Sequence, residues 1–109
     1  MDIDLMRMAD AFCELYDLHK SNSGILSSRY DKMLEEVEEF NNAKTNLEQF
    51  DALLDILYAT AVTASLLDFP IEEGLRRIHK ANMNKERGPN NSVIKPAGWE
   101  PASLEDLCK

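Results

Sequence analysis

Cysteine is scarce in this sequence, with Cys13 and Cys108 the two among 109 residues. Two cysteines are too few for a disulfide framework, and their spacing is not that of a zinc site, so a reducing compartment is the simpler expectation. No run of about 18 apolar residues is present to span a membrane. The opening segment MDIDLMRMADAF lacks the basic stretch of a signal peptide. We therefore expect a cytoplasmic protein that does not bind membranes.

Positive charge is also in short supply. The chain has 20 Asp and Glu against 12 Lys and Arg, for a formal net charge of -8. Such a balance argues against nucleic-acid binding through a general positive surface. The composition, 44% hydrophobic and 29% charged, is typical of a soluble globular protein. The length predicts a single domain over residues 1–109.

Alternating β patterns of useful length are absent, whereas helical periodicity recurs along the chain. The first predicted helix has Ile3, Met6, Ala9 and Phe12 on one face. The predicted helices cover residues 2–20, 28–44, 47–67 and 70 to about 88, followed by a loop over 88–101 and a short helix over 103–107. The sequence therefore predicts an all-α fold.

Acidic residues are concentrated on the second predicted helix. At about 100° per residue, Glu36 and Glu39 share one edge of its apolar face and Glu35 lies beside Glu39. Glu38 falls on the opposite edge. A solvated acidic face is the ordinary explanation for such a run, so the acids of this helix alone do not define a site.

The third predicted helix carries three more acids, Glu48, Asp51 and Asp55, on one stripe. The rest of this helix is apolar nearly all round, which indicates a central, buried position. Ionised carboxylates are rarely buried without a partner, because desolvation costs several kcal/mol per ion. No basic residue lies within a helical turn of Asp51 or Asp55. Acids facing acids across two helices would repel unless a cation lay between them. We therefore expect a divalent metal site, with oxygen ligands and no His or Cys nearby.

Basic residues gather later in the chain, and for Arg76 and Arg77 ordinary helix and loop charge is a sufficient explanation. In an acidic protein, cations that follow a carboxylate cluster also fit an anionic ligand that carries the metal, such as a nucleotide polyphosphate. Trp99 is either a base-stacking platform or a plug in the core. The candidates for substrate binding are Lys80, Lys85, Arg87 and Lys95 for the phosphates, with Asn82 and Trp99 for the base.

Four segments resemble one superfamily of enzymes. They are LEEVEEF (34–40), FDALLDILYATAVTASLLDFP (50–70), IHKANMNK (78–85) and IKPAGWEP (94–101). Together they resemble the all-α nucleoside triphosphate pyrophosphatases, which comprise MazG-like, dimeric dUTPase-like and phosphoribosyl-ATP pyrophosphohydrolase-like proteins. The best resemblance is to the small phage and bacterial branch labelled phosphoribosyl-ATP pyrophosphohydrolase-like. It covers about residues 28–101, and the first 27 residues show little of it, which leaves the substrate open.

The resemblance implies a four-helix MazG-like bundle completed by oligomerisation into a homodimer or homotetramer. It implies Mg²⁺, with Mn²⁺ as a substitute, held by an ExxE motif on one helix and an ExxD motif on the next. It also implies hydrolysis between the α and β phosphates of a nucleoside triphosphate, with a nucleoside monophosphate and pyrophosphate as products.

The second acidic motif can be read in two ways. Alignment on the DILY segment selects Asp55, although Ala52 stands where the motif's Glu would be. The intact spacing is that of Glu48 and Asp51, but this motif starts only nine residues after Glu39. The candidate metal ligands are therefore Glu35, Glu36, Glu39, Glu48, Asp51 and Asp55, and two of them, Glu36 and Glu39, are also candidates for orienting or deprotonating the attacking water.

Three functions fit the sequence. The first is a Mg²⁺-dependent nucleoside triphosphate pyrophosphohydrolase, and the second is a phosphoribosyl-ATP pyrophosphohydrolase of histidine synthesis. The third is a non-catalytic, metal-stabilised helical binding module. A scaffold would gain stability from apolar residues in place of Asp51 and Asp55, which argues against the third function.

The third helix also predicts oligomerisation. A lone chain would leave part of Ile56, Val62, Leu66 and their neighbours in water, and burying such a side chain contributes about 1.5–3 kcal/mol. This gain should exceed the repulsion between acidic subunits, which salt screens. We expect light scattering at micromolar concentration to find a homodimer or a dimer of dimers. A monomer that still hydrolyses nucleotide would contradict the prediction.

Overall fold

The structure, a computed structural model, describes residues 4–108 and confirms the all-α fold class. The chain divides into two compact units, Met1–Phe69 and Pro70–Lys109. The first unit contains α1 (Leu5–Leu15), α2 (Ile25–Asn42) and α3 (Asn46–Leu66). The second contains α4 (Ile71–Asn82), the strands β1 (Glu86–Arg87) and β2 (Val93–Ile94), and a 3₁₀ helix at Glu105–Leu107. No helix among the described residues is long and apolar enough to cross a membrane.

Helix α1 is shorter than its periodicity predicts. The predicted start at residue 2, including Ile3, lies outside the described residues. Asp4 caps the first turn, where its Oδ1 accepts a hydrogen bond from the Arg7 amide at 2.9 Å. The helix ends at Leu15 instead of near residue 20 because Asp17 adopts a left-handed conformation, with φ of 54°. The Leu18 amide then donates to the Cys13 carbonyl at 2.8 Å, the closing bond of a Schellman motif.

Helix α2 begins at Ile25, three residues before the predicted start at residue 28, because Gly24 supplies the turn with φ of 75°. Thr45 then caps α3 in a reciprocal arrangement. The Glu48 amide donates to Thr45 Oγ1, and Thr45 Oγ1 donates to Glu48 Oε1, both at 3.1 Å. This variant of the capping box, in which the Glu48 carboxylate accepts from the Thr45 hydroxyl, caps the first turn of α3.

Helix α3 is the central element of the first unit and packs against both α1 and α2. Buried residues of α1 and α3 form one core cluster, which consists of Ala9, Cys13, Ala61, Val62 and Leu66. The prediction that a lone chain leaves Ile56, Val62 and Leu66 partly in water is therefore wrong for Val62 and Leu66, which pack against α1, whereas Ile56 is half-buried. The large apolar side chains that α3 leaves exposed are Leu47 at its start and a stripe of Phe50, Leu53, Leu54 and Leu57.

The second unit corrects two predictions about the end of the chain. Helix α4 ends at Asn82 instead of near Gly88, and the segment predicted as a loop contains an antiparallel hairpin that pairs Glu86 with Ile94. Asn90 and Asn91, both at positive φ, form its turn. Strands of two residues are too short to show an alternating pattern, which is why the sequence did not reveal them.

Two residues of α4, Ala81 and Arg77, hold the chain that follows the hairpin. The Trp99 indole Nε1 donates to the Ala81 carbonyl at 2.7 Å. The Arg77 guanidinium donates to both carboxylate oxygens of Asp106, at 2.6 and 3.0 Å. This ion pair lowers the pKa of Asp106, chiefly through the hydrogen bonds from Arg77. The bidentate geometry fixes the 3₁₀ helix of the second unit more firmly than a single surface contact would.

The core of the first unit can be tested at Val62, which is fully buried. We expect Val62→Ala to lower the free energy of unfolding by about 2 kcal/mol, because it removes two buried methyl groups and leaves a cavity. Urea unfolding measures this change. Val93→Ala is the matched control, since the same methyl groups are 67% exposed there. Equal losses from both variants would contradict the described core.

Candidate metal centre

Glu36 is the buried charged residue of the described chain, with 2% of its surface exposed. Helix α2 presents it on the side that packs against α3. Its Oε1 accepts a hydrogen bond from Lys32 Nζ at 2.9 Å. Its Oε2 is buried and has no hydrogen-bond donor among the described residues. A buried carboxylate oxygen without a donor is costly, and a bound cation is one way to remove that cost.

Two other glutamates of α2 surround this oxygen pair. Glu35, Glu36 and Glu39 each offer a carboxylate oxygen, and these three oxygens lie within 4.8 Å of one another. The oxygen ligands of an octahedral Mg²⁺ lie about 3–4 Å apart, as bond lengths of about 2.1 Å require. Small rotations of the exposed Glu35 and Glu39 side chains would suffice to bring the three oxygens onto one ion.

Asp55 of α3 adjoins Glu36 across the helix pair. Its pKa is raised, first by burial and then by the negative charges of Glu36 and Asp51. The pKa of Glu39 is raised too, chiefly by the hydrogen bond to Glu36 that its protonated form makes. The pKa of Glu36 itself is lowered, mainly by the hydrogen bond from Lys32. Glu36 thus stays ionised, and its acidic neighbours favour either a proton or a cation.

A cleft of about 440 Å³ lies beside these residues. Both sides of the cleft are acidic. Helix α2 contributes Glu35, Glu38 and Glu39, and α3 contributes Glu48 and Asp51. Glu38, predicted on the edge of α2 opposite Glu36, lies one turn from Glu35 and also lines this cleft.

The two alternatives for the second acidic motif, Asp55 or the pair Glu48 and Asp51, lie at different places in the first unit. Asp55 is next to the buried Glu36, whereas Glu48 and Asp51 line the more open cleft beside Glu35 and Glu39. Glu48 also has a structural role in the capping box with Thr45. The six predicted ligands are therefore brought into one region of the first unit, with Asp55 nearest its buried end.

Lys32 is the residue of this region that the sequence analysis missed. Its ammonium group lies 2.9 Å from Glu36 Oε1 and 3.9 Å from Glu35 Oε2. The signal was present, because Lys32 stands three and four residues before these glutamates, the spacing at which side chains of a helix meet. Asp51 and Asp55 on α3 have no such basic neighbour on their own helix, so the cation of the region comes from α2.

In the second unit, three of the predicted substrate-binding residues come together. The Lys85 and Lys95 ammonium groups each lie 5.1 Å from the centre of the Trp99 ring. Trp99 is half-buried and held by its bond to Ala81, which fits a structural role better than an open stacking platform. Arg87 is not part of this cluster and donates to Asn91 Oδ1 at 3.1 Å.

The remaining two predicted substrate-binding residues, Lys80 and Asn82, are exposed in the last turn of α4. Neither is drawn into the Trp99 cluster by a hydrogen bond or cation–π contact among the described residues. Their exposure leaves both side chains free to meet a ligand.

Comparison with known protein families gives one match, to phosphoribosyl-ATP pyrophosphohydrolase over residues 7–82. The match covers well over half of the chain and includes all six predicted metal ligands. The chain belongs to the phosphoribosyl-ATP pyrophosphohydrolase family. This family is part of the MazG-like all-α pyrophosphatase superfamily, so the resemblance seen in the sequence is confirmed. A search of curated proteins finds no match to the chain.

Family membership makes the protein a pyrophosphohydrolase, a hydrolase that acts on phosphoric anhydrides. The family is generally metal-dependent, in agreement with the acidic cluster on α2. The matched region starts at residue 7, so it includes most of α1, where the sequence analysis saw little resemblance. It ends at residue 82 and leaves out the hairpin and the Trp99 cluster.

Asp55 provides a test in which metal-free and metal-bound protein respond differently. Because the pKa of Asp55 in the folded protein is raised above the ordinary 3.8, its charge destabilises the metal-free fold at neutral pH. That loss of stability should disappear as the pH falls through the raised pKa of Asp55 towards its ordinary value of 3.8, because the carboxylate then takes up a proton. We expect Asp55→Asn to raise the melting temperature of the metal-free protein at pH 7 by a few degrees, and to flatten this pH dependence.

The same variant should weaken stabilisation by metal. Mg²⁺ or Mn²⁺ should raise the melting temperature of the unmodified protein, because the ion binds only the folded cluster, and chelator should reverse the effect. Asp55→Asn should lose most of this increase, whereas Asp31→Asn, the same change at an exposed site on α2, should retain it. A lower melting temperature for metal-free Asp55→Asn would contradict the proposed repulsion.

Proposed function

We propose that the protein is a Mg²⁺-dependent nucleoside triphosphate pyrophosphohydrolase. It hydrolyses the anhydride between the α and β phosphates and releases a nucleoside monophosphate and pyrophosphate. The observation that carries this proposal is the buried carboxylate of Glu36, whose Oε2 has no donor among the described residues and whose nearest titratable neighbours are mostly acids. Family membership supports the reaction class.

The residues present fit a hard divalent cation. Glu35, Glu36, Glu39 and Asp55 offer only carboxylate oxygens, the donors that Mg²⁺ and Mn²⁺ prefer over the nitrogen and sulfur ligands of zinc. Glu48 and Asp51, in the adjoining cleft, would supply ligands for a second ion or for its water shell. When bound, Mg²⁺ would supply Lewis-acid chemistry that offsets the negative charge developing on the phosphates.

The protein's own residues have separable roles in this proposal. Glu36, whose pKa is lowered, stays ionised and serves as a ligand. Glu39, which is exposed to solvent beside Glu36, would orient the attacking water and take its proton. Asp55 would hold the opposite side of the site from α3. Loss of the proton-accepting group is expected to cost about 10²–10⁴ in rate.

Phosphoribosyl-ATP is the second candidate substrate, and the family match favours it specifically. The chemistry would be unchanged, since phosphoribosyl-ATP carries the same α–β anhydride and differs by a sugar phosphate on the base. The carboxylates of α2 and α3 act on the phosphates and do not distinguish the two substrates. A non-catalytic binding module is the weaker alternative, because family membership already indicates a hydrolase.

We also propose that the second unit contributes to phosphate binding. Lys85 and Lys95 place two ammonium groups near one ring, with no carboxylate paired to either among the described residues. A polyphosphate would neutralise both. Lys80 and Arg87 would add charge, and Asn82 would meet the base.

A second copy of the chain is the proposed partner. Large apolar side chains are exposed on both α3 and α2, and burying them against a second copy would be favourable. The stripe on α3 is Phe50, Leu53, Leu54 and Leu57, and the residues on α2 are Leu34, Val37 and Phe40. A homodimer or homotetramer built on this surface would cover it.

Substrate choice can be tested with a panel of canonical and modified nucleoside triphosphates together with phosphoribosyl-ATP. We expect Mg²⁺-dependent release of monophosphate and pyrophosphate from at least one nucleoside triphosphate. Glu36→Gln should lower the rate by about a hundredfold or more, because it removes the buried ligand. Glu14→Gln, at an exposed position of α1, is the matched control.

The outcomes of the panel separate the candidates. Turnover of phosphoribosyl-ATP alone would replace the first candidate with the second. Turnover of no nucleoside triphosphate and no phosphoribosyl-ATP would support a binding module. Full activity of Glu36→Gln, with its helical circular dichroism retained, would contradict the assignment of the site.

Phosphate binding by the second unit can be followed through Trp99, the only tryptophan of the chain. We expect inorganic pyrophosphate, without metal, to change its fluorescence, because the anion would draw both ammonium groups away from the ring. Lys85→Gln and Lys95→Gln should each weaken the apparent affinity several-fold, and Lys20→Gln should not. A fluorescence signal that pyrophosphate leaves unchanged would argue against this binding role.

A further inference from the structure

The acidic cluster of the first unit already contains one cation. Lys32 Nζ contacts Glu36 Oε1 at 2.9 Å and Glu35 Oε2 at 3.9 Å, from a side chain that is 44% exposed. Glu36, by contrast, is buried on nearly every side. Lys32 is therefore placed at the entrance to the buried carboxylate, with its stem reaching in from solvent.

We propose that Lys32 is a tethered cation that stabilises the metal-free cluster and, for that reason, limits its affinity for the metal. This inference rests on the proposed metal site and deepens it by naming the residue that sets the affinity. Lys32 has no place in the mechanism described above, and its role concerns the site before metal and substrate enter.

The charge balance supports such a role. Glu35, Glu36, Glu39 and Asp55 carry four negative charges when ionised, and Lys32 is the basic residue that contacts this group among the described residues. One ammonium neutralises only part of that charge. It also satisfies Oε1 of Glu36 and leaves Oε2 without a donor. The cluster is thus stabilised enough to fold and remains able to take up a further cation.

The position of the ammonium creates competition. A divalent ion shared by the Glu35, Glu36 and Glu39 oxygens would lie within a few ångströms of Lys32 Nζ and would be repelled by it. Lysine suits this role, because its compact charge sits on a flexible stem, so the head can move into solvent when the ion enters. Removing the lysine charge should therefore lower the stability of the metal-free protein and raise its affinity for the metal.

The test uses Lys32→Gln in the full chain. Glutamine removes the charge but keeps an N–H donor for Glu36. After dialysis against chelator, calorimetric titration with Mg²⁺ measures affinity, and thermal melting measures the stability of the metal-free fold. We expect about tenfold tighter Mg²⁺ binding, from loss of the charge repulsion, together with a lower melting temperature without metal. Neither readout depends on activity.

Lys20→Gln is the matched control. It removes the same charge from the same unit and breaks an exposed contact with Asp68 at 3.8 Å, away from the cluster. It should leave Mg²⁺ affinity unchanged. Lys32→Arg, which keeps the positive charge, should bind Mg²⁺ as the unmodified protein does, and it keeps the proposal testable if Lys32→Gln fails to fold. A Lys32→Gln variant that folds only when Mg²⁺ is added would support the proposal.

Three results would overturn it. Unchanged Mg²⁺ affinity in Lys32→Gln, with lower metal-free stability, would make Lys32 an ordinary ion-pair residue. Tighter binding by Lys32→Arg would show that its charge is not the cause. Absence of Mg²⁺ binding to the unmodified protein would overturn both this inference and the proposed metal site, whereas binding to the unmodified protein that Lys32→Gln does not strengthen would overturn the inference alone.

Discussion

Burial of the Glu36 carboxylate is the constraint on which the candidate site depends. A charged group that is 2% exposed must be compensated, and the chain compensates only one of its two oxygens. Packing α2 against α3 causes this burial and also brings Asp55 close to Glu36. The same contact therefore builds the helical unit and concentrates negative charge inside it. A fold that needed only stability would place apolar side chains there.

The existence of the helices could be predicted from periodicity, whereas their ends could not. Asp17 and Asp68 both adopt left-handed conformations and terminate α1 and α3 by Schellman motifs. Glycine usually occupies this position, so aspartate gave no signal of an ending. The hairpin of the second unit was missed because its strands have two residues each. Such features depend on local backbone geometry, which hydrophobic pattern does not encode.

The acidic residues of the site could be identified from the sequence, but their arrangement could not. Helical spacing grouped Glu36 with Glu39, yet it did not show that Glu38 lines the cleft, and it left Asp55 and the Glu48–Asp51 motif as alternatives. The distinction between a buried end and an open cleft arises only when α2 and α3 pack. Lys32 was within reach of the sequence, because its spacing to Glu36 on the same helix is diagnostic.

The central claim is that Glu36 is the buried ligand of a divalent metal ion. Electron paramagnetic resonance of Mn²⁺ tests it directly, because the free ion gives a strong signal that is lost on binding to protein. The account predicts that the unmodified protein removes the free-ion signal and that folded Glu36→Gln leaves most of it in place. Equal Mn²⁺ binding by the two proteins would contradict the account.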